Sequence, residues 1–310
     1  MSLKSVVSKL LYYSLAAFEV AHGGFNLFGY SELETRVFGG KTLGYLSKDE
    51  SGTMFTEYVV RSAGLAQLVL GLTIFMLGDT KLGFMAMLIP HIALVLTFDR
   101  DTKLMRDSGD LSALHAEGIE MGDLANKVVL ALNFVGLMFA GSKREGLRRT
   151  SSRIASLILY TMITIESTVT FFALMGSEYF FERMAPGADA NTPGFSVTKV
   201  LTPLGLQFLQ LIHTIYNVQV LTANALLHTL KPTSVALLLT FIFHVGIGAV
   251  DFYIHMGLEN VSGSDESTIL ALRDMFNTGV VFHGVCAGAL LFGAVLAGLS
   301  APAPAKAKKD

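Results

Sequence analysis

Apolar residues along this chain gather into eight long runs, at roughly 10–30, 58–78, 82–98, 126–141, 153–175, 203–226, 235–255 and 279–299. Most approach the ~20 residues that a helix needs to cross a bilayer. The runs at 82–98 and 126–141 are shorter. Eight spanning helices is therefore the expected count, with seven the alternative if a short run fails to span.

Polar segments between the runs alternate in character. Eight spans put the N-terminus, the turn near Asp79 and Lys81, the linker "SKREGLRRTSSR" at 142–153, the turn near Lys231 and the tail at 300–310 on one side. That side carries 12 Lys/Arg against three acids, and the remaining 22 acids face 11 Lys/Arg elsewhere. The positive-inside rule places both termini on the cytoplasmic, matrix or stromal side. The opposite loops are long and acidic. In one of them "DESTILALRDMF", 265–276, spaces apolar residues at helical intervals beside acids, which predicts short amphipathic helices on that face.

The basic linker divides the chain into residues 1–141 and 154–299, each reading helix, long loop, helix, short turn, helix, long loop, helix. Glu19 and Gly29 are matched by Glu166 and Gly176 at the same spacing, with Phe25 and Leu27 matching Phe172 and Leu174. His91 in the third run matches His244 in the seventh, each followed by an acid, Asp99 or Asp251. The expected fold is all-α and integral to the membrane, built as two tandem four-helix repeats. An even number of spans per repeat gives both the same orientation.

Composition agrees with a membrane address: 52% of residues are hydrophobic and 15% charged, with mean hydropathy +0.53. A soluble domain carries about 25% charged residues. Lys4 and Lys9 precede the first run, but Glu19 and His22 interrupt it, so it reads as a retained helix rather than a cleaved signal peptide. Cys286 is the single cysteine, which rules out an intramolecular disulfide and a thiolate metal cluster. Lipid, and protein partners or a second copy of the chain, are the expected partners; nucleic acid is not.

Ionisable groups inside apolar runs are the candidate chemistry, because each costs ~2.5–3.5 kcal/mol at membrane depth unless protein or water answers it. Glu19, His22 and Asn26 lie at i, i+3 and i+7 on one helix face, and Glu166 repeats the placement. Either they carry protons or cations, or they fix helix packing through hydrogen bonds. His91, His213, His244 and His283 fall within runs, and Asp251 near the end of one. In the sixth run Gln210, His213, Asn217 and Asn224 form a polar stripe that lines a cavity or bonds to other helices. Glu57 and Arg61 read as an ordinary i, i+4 pair at the interface. The last run spaces Gly284 and Gly288, and Ala289 and Gly293, four apart, the pattern of a close-packing face within the protein or against a partner. Arg61-x-x-Gly64 resembles the opening of a helix in small four-helix families of DoxX type, over those residues alone.

No nucleotide-binding, zinc-protease or nucleophile-elbow pattern stands in a suitable context, and no lysine sits centrally in a run to hold a retinal. The first expectation is thus a non-catalytic, accessory subunit of a larger membrane assembly rather than an enzyme. A proton- or cation-coupled transporter using Glu19, Glu166 and the intramembrane histidines is the second. The third is a b-type haem protein with two histidine ligands drawn from His91, His213, His244 and His283; no other cofactor or metal is indicated. The topology is directly testable. Cysteine-accessibility labelling should find the 142–153 linker and the 300–310 tail on the same side of the membrane, and opposite sides would contradict the span count.

Overall fold

Helix formers dominate every run and no proline interrupts one except Pro90, so the runs fold as long helices. The computed structural model describes residues 3–38, 40, 42–107, 113–141, 152–184, 194–230 and 234–299. Nearly all of the basic linker, the 300–310 tail and the side chain of Asp99 lie outside them. In chain order the elements are α1 Leu3–Phe28, α2 Tyr30–Phe38, the single turn α3 Thr42–Tyr45, α4 Glu50–Leu77, α5 Lys81–Asp107 and α6 Ala113–Phe139. Then come α7 Arg153–Leu174, α8 Ser177–Met184, α9 Val197–Val200, α10 Pro203–Leu230, α11 Ser234–Gly257 with a 3-10 turn at Leu258–Asn260, and α12 Glu266–Leu299.

Five helices are long and apolar enough to cross a membrane: α4, the 120–139 part of α6, α7, α11 and α12. That number of apolar helices makes an integral membrane protein. No strand is present among the described residues, only two isolated bridges.

One expectation changes here. The amphipathic segment 265–276 is no separate surface helix but the first turns of the 34-residue α12. Asp265 caps it, accepting from Thr268 N at 3.2 Å and from the Thr268 hydroxyl at 2.9 Å, and nothing stops the helix before Leu299. Short amphipathic helices do occur, as α2 and α8, which begin directly after Gly29 and Gly176.

α4 and α10 form the centre of the bundle. α4 packs against α1, α10 and α11, and α10 packs against α4, α5 and α7; α6 with α5, and α12 with α11, complete the outside. Glycines bring α1 and α4 to backbone contact. A Cβ on Gly23 would lie 2.4 Å from Leu68 N, one on Gly64 2.6 Å from Leu27 N, and one on Gly71 2.9 Å from Val20 N. The close-packing face expected on the last helix behaves differently: Gly284 and Gly288 face open space, and Gly293 meets Leu237 and Ile158. Within this chain the small-residue seam therefore belongs to α1 and α4.

The segments entering α4 and α10 cross each other. Lys48 N donates to Val200 O at 2.8 Å and Thr202 N to Leu46 O at 3.0 Å, around a bridge between Ser47 and Leu201. Asp49 caps α4 through Gly52 N at 2.9 Å, and Thr202 caps α10 through Gly205 N at 3.0 Å.

Apolar side chains form two main clusters at opposite ends of the bundle. One gathers Tyr12, Ile74, Phe84, Leu159, Leu237 and Leu290; the other gathers Phe55, Val59, Phe181, Ile254 and Phe276. Glu19 of α1 and His283 of α12 fall between those two sets along their helices, and Gln67 and His91 reach the first and His244 and Glu166 the second to make a polar level.

The glycine seam predicts a sharp contrast. Gly64→Val should cost the fold several kcal/mol, since backbone atoms rather than movable side chains block the new methyls. Gly288→Val should leave the melting temperature of the detergent-solubilised monomer unchanged. Similar losses in both would contradict the seam.

Candidate functional site

Two clusters occupy the polar level, each centred on a carboxylate and an imidazole. In the first, α1 supplies Glu19 and α5 supplies His91, whose Nε2 lies 2.5 Å from Glu19 Oε1. Gln67 of α4 completes it. Its Nε2 donates to Glu19 Oε2 at 2.9 Å and lies 3.0 Å from His22 Nδ1, while Asn26 Nδ2 reaches Gln67 Oε1 at 3.5 Å. Glu19, His22 and Asn26 thus share a face, as their spacing predicts, and all turn toward one amide. Glu19 is 4% exposed and both its oxygens are used, so this cluster is closed.

In the second, α7 supplies Glu166 and α11 supplies His244, with His244 Nε2 3.1 Å from Glu166 Oε1, within ion-pair range but without the alignment of a hydrogen bond. His244 Nδ1 is hydrogen-bonded to His283 Nδ1 of α12 at 2.9 Å, one ring donating and the other accepting. His283 Nε2 lies 3.9 Å from Asp251 Oδ2. A line of four titratable groups therefore runs Glu166, His244, His283, Asp251. Gly279 of α12 makes room for its far end, since a Cβ there would lie 2.4 Å from Asp251 Oδ2.

Beside this line is a cavity of about 360 Å³, bounded by α4, α7, α8, α10, α11 and α12. Glu166, Asp251, His213, His283 and Asn217 give its polar wall; Tyr58, Phe180, Phe181, Tyr216, Phe276 and Phe282 give its aromatic wall. His213 is held in place by Ser177 at the start of α8, its Nδ1 2.8 Å from the hydroxyl, and its ring lies 4.8 Å from Phe181 and parallel to Tyr216 at 6.1 Å.

The sixth-run stripe divides between the two roles expected of it. Gln210 sits 3.5 Å from Ser177 N, and Asn224 Nδ2 donates to Ser167 Oγ of α7 at 3.2 Å, so these tie helices together. Asn217 is 1% exposed, lines the cavity, and has neither amide atom bonded. Glu57 and Arg61 do more than pair with each other at 2.6 Å. Arg61 also donates to the Leu27 carbonyl of α1 and stands 4.9 Å from the Tyr253 ring of α11 and 6.0 Å from that of Tyr30. This guanidinium fastens three elements around α4.

Of the histidines considered for haem, His91 turns Nε2 to a carboxylate and His213 turns Nδ1 to Ser177. His244 and His283 meet in a direct hydrogen bond, which an iron between them would have to replace. Among the described residues no cluster of three or more His, Cys, Asp or Glu is arranged to hold a metal ion. The residues that pattern reasoning missed are Gln67, Tyr58, Tyr216 and Ser177. Gln67 had a signal, a lone amide within the apolar "GLAQLVLGL"; tyrosines in a helix have none.

No family model matches the chain, and no curated protein or solved structure matches it. The geometry alone must carry the functional argument.

The closed cluster predicts an asymmetry among substitutions. Glu19→Gln should fold, because an amide still bonds His91 and Gln67, whereas Glu19→Leu should lose about 1–3 kcal/mol by orphaning those buried groups. Melting temperatures in detergent decide it, and equal tolerance of Leu and Gln would contradict the pairing.

Proposed function

We propose that this protein is a proton-coupled membrane carrier for a small solute, built from two tandem four-helix repeats that together cross the membrane eight times, with both termini on the basic side. The observation that carries the reading is the line from Glu166 through His244 and His283 to Asp251, of which Glu166, His283 and Asp251 line the cavity. Imidazoles and carboxylates within reach of one another are groups able to pass a proton, and a cavity beside them is where a solute can sense it.

The repeat reading is supported by burial. Buried positions 83, 84, 86, 87, 90, 91 and 94 of α5 recur at 236, 237, 239, 240, 243, 244 and 247 of α11. Buried positions 129, 133 and 136 of α6, and 140 just past its end, recur at 286, 290, 293 and 297 of α12. The pairs within each half also correspond, Glu19 with His91 and Glu166 with His244, and so do the caps at Asp49 and Thr202. The α4 and α10 helices then sit at the junction of the repeats, about an axis along the membrane normal.

A second reading, an accessory subunit, is favoured by Gly284 and Gly288 on the open face of α12, where a partner helix could approach closely. Reconstitution separates the two. Proteoliposomes holding a pH-sensitive dye should show solute-dependent proton movement for at least one member of a panel of small cations, anions and neutral molecules. Glu166→Gln should reduce the rate at least about tenfold, the scale of one lost proton-transfer group. No coupled movement for any solute, with a co-purifying membrane partner, would favour the subunit.

A further inference from the structure

The cavity wall also indicates what kind of molecule would fit it. Its volume of about 360 Å³ falls at the small end of the ~300–1,000 Å³ typical of small-molecule sites. Two carboxylates, Glu166 and Asp251, reach it, and no lysine or arginine is among the described residues that line it. The two imidazoles between those carboxylates bond to each other, so no fixed cation of the protein among the described lining residues faces either carboxylate. A carboxylate that ionises in this low-dielectric interior calls for a positive charge brought in by the ligand.

Aromatic rings from α8, α10 and α12 complete the wall. Faces of such rings attract cations, and they also accept an apolar body. Asn217 offers an independent sign. Its amide is buried at the cavity with both its donor and its acceptor free, which destabilises a folded protein unless water or a ligand meets them.

We propose that the cavity binds a small organic ammonium ion, its charged head toward Glu166 and Asp251, its apolar body among the aromatic rings, and Asn217 bonding a polar group. The inference rests on the carrier reading for its cavity but not for transport itself. A bare metal ion does not suit the site, since aromatic and aliphatic side chains together take most of the wall that oxygen ligands would need.

Calorimetric titration of the full-length protein in lipid nanodiscs tests it with three probes of one shape: phenethylammonium, 2-phenylethanol and 3-phenylpropionate. The ammonium should bind at least about tenfold more tightly than the alcohol, and the anion should not bind. Asp251→Asn should weaken the ammonium at least tenfold and the alcohol less than twofold. Asn217→Leu should weaken ammonium binding severalfold, and it supplies a second variant if Asp251→Asn fails to fold. Alcohol binding equal to the ammonium, preference for the anion, absence of binding by all three, or unchanged ammonium affinity in a folded variant overturns the assignment. Ammonium-selective binding without flux would instead sink the carrier reading alone, and coupled flux of a neutral or anionic solute would sink this inference alone.

Discussion

A carboxylate taken out of water has to be met by a donor, and this structure is organised around meeting two of them. Glu19 and Glu166 stand at the same level of their helices, each facing a histidine from a helix two long elements further on. Removing one partner of a buried hydrogen-bonded pair costs about 1–3 kcal/mol, because the other is left unsatisfied. The pairs therefore fix how α5 rotates against α1 and α11 against α7, while apolar clusters at the two ends supply most of the area buried.

The two pairs differ in what surrounds them. Around Glu19 the space is filled by Gln67, His22 and the glycine contacts that press α1 onto α4, and both carboxylate oxygens are bonded. Near Glu166 the position matching Gln67 in α10 is Val220, which cannot answer the second oxygen, and the volume beyond it is open. A closed pair suits a packing role; an open pair beside a cavity suits a site.

Much of this arrangement could be read from residue order, and the failures have definite causes. Hydrophobic runs locate helices because a helix in lipid must be apolar along its length, and all eight runs coincide with helices of 22 residues or more. The Glu19/Glu166 and His91/His244 matches marked residues that both clusters use, but spacing within one helix could not say that each glutamate meets a histidine. Partner faces are another matter. Gly23, Gly64 and Gly71 are not at four-residue spacing on one helix, whereas Gly284 and Gly288 are, so the regular pattern drew attention to a face that meets nothing in this chain. Segment 265–276 looked self-contained because its acids mimic a surface helix, yet helix boundaries depend on where a cap or breaker stands, and none follows it. The cavity had no signal at all, because a void is a property of several helices together.

Reactivity toward a lipid-soluble carbodiimide, mapped by peptide mass spectrometry on the protein in its membrane, most directly tests the claim that one carboxylate pair is closed and the other open. Such a reagent modifies carboxyl groups it can reach from the apolar phase. The account predicts labelling of Glu166 or Asp251 with Glu19 spared; labelling of Glu19 as fast as either, or of neither cavity carboxylate, would contradict it.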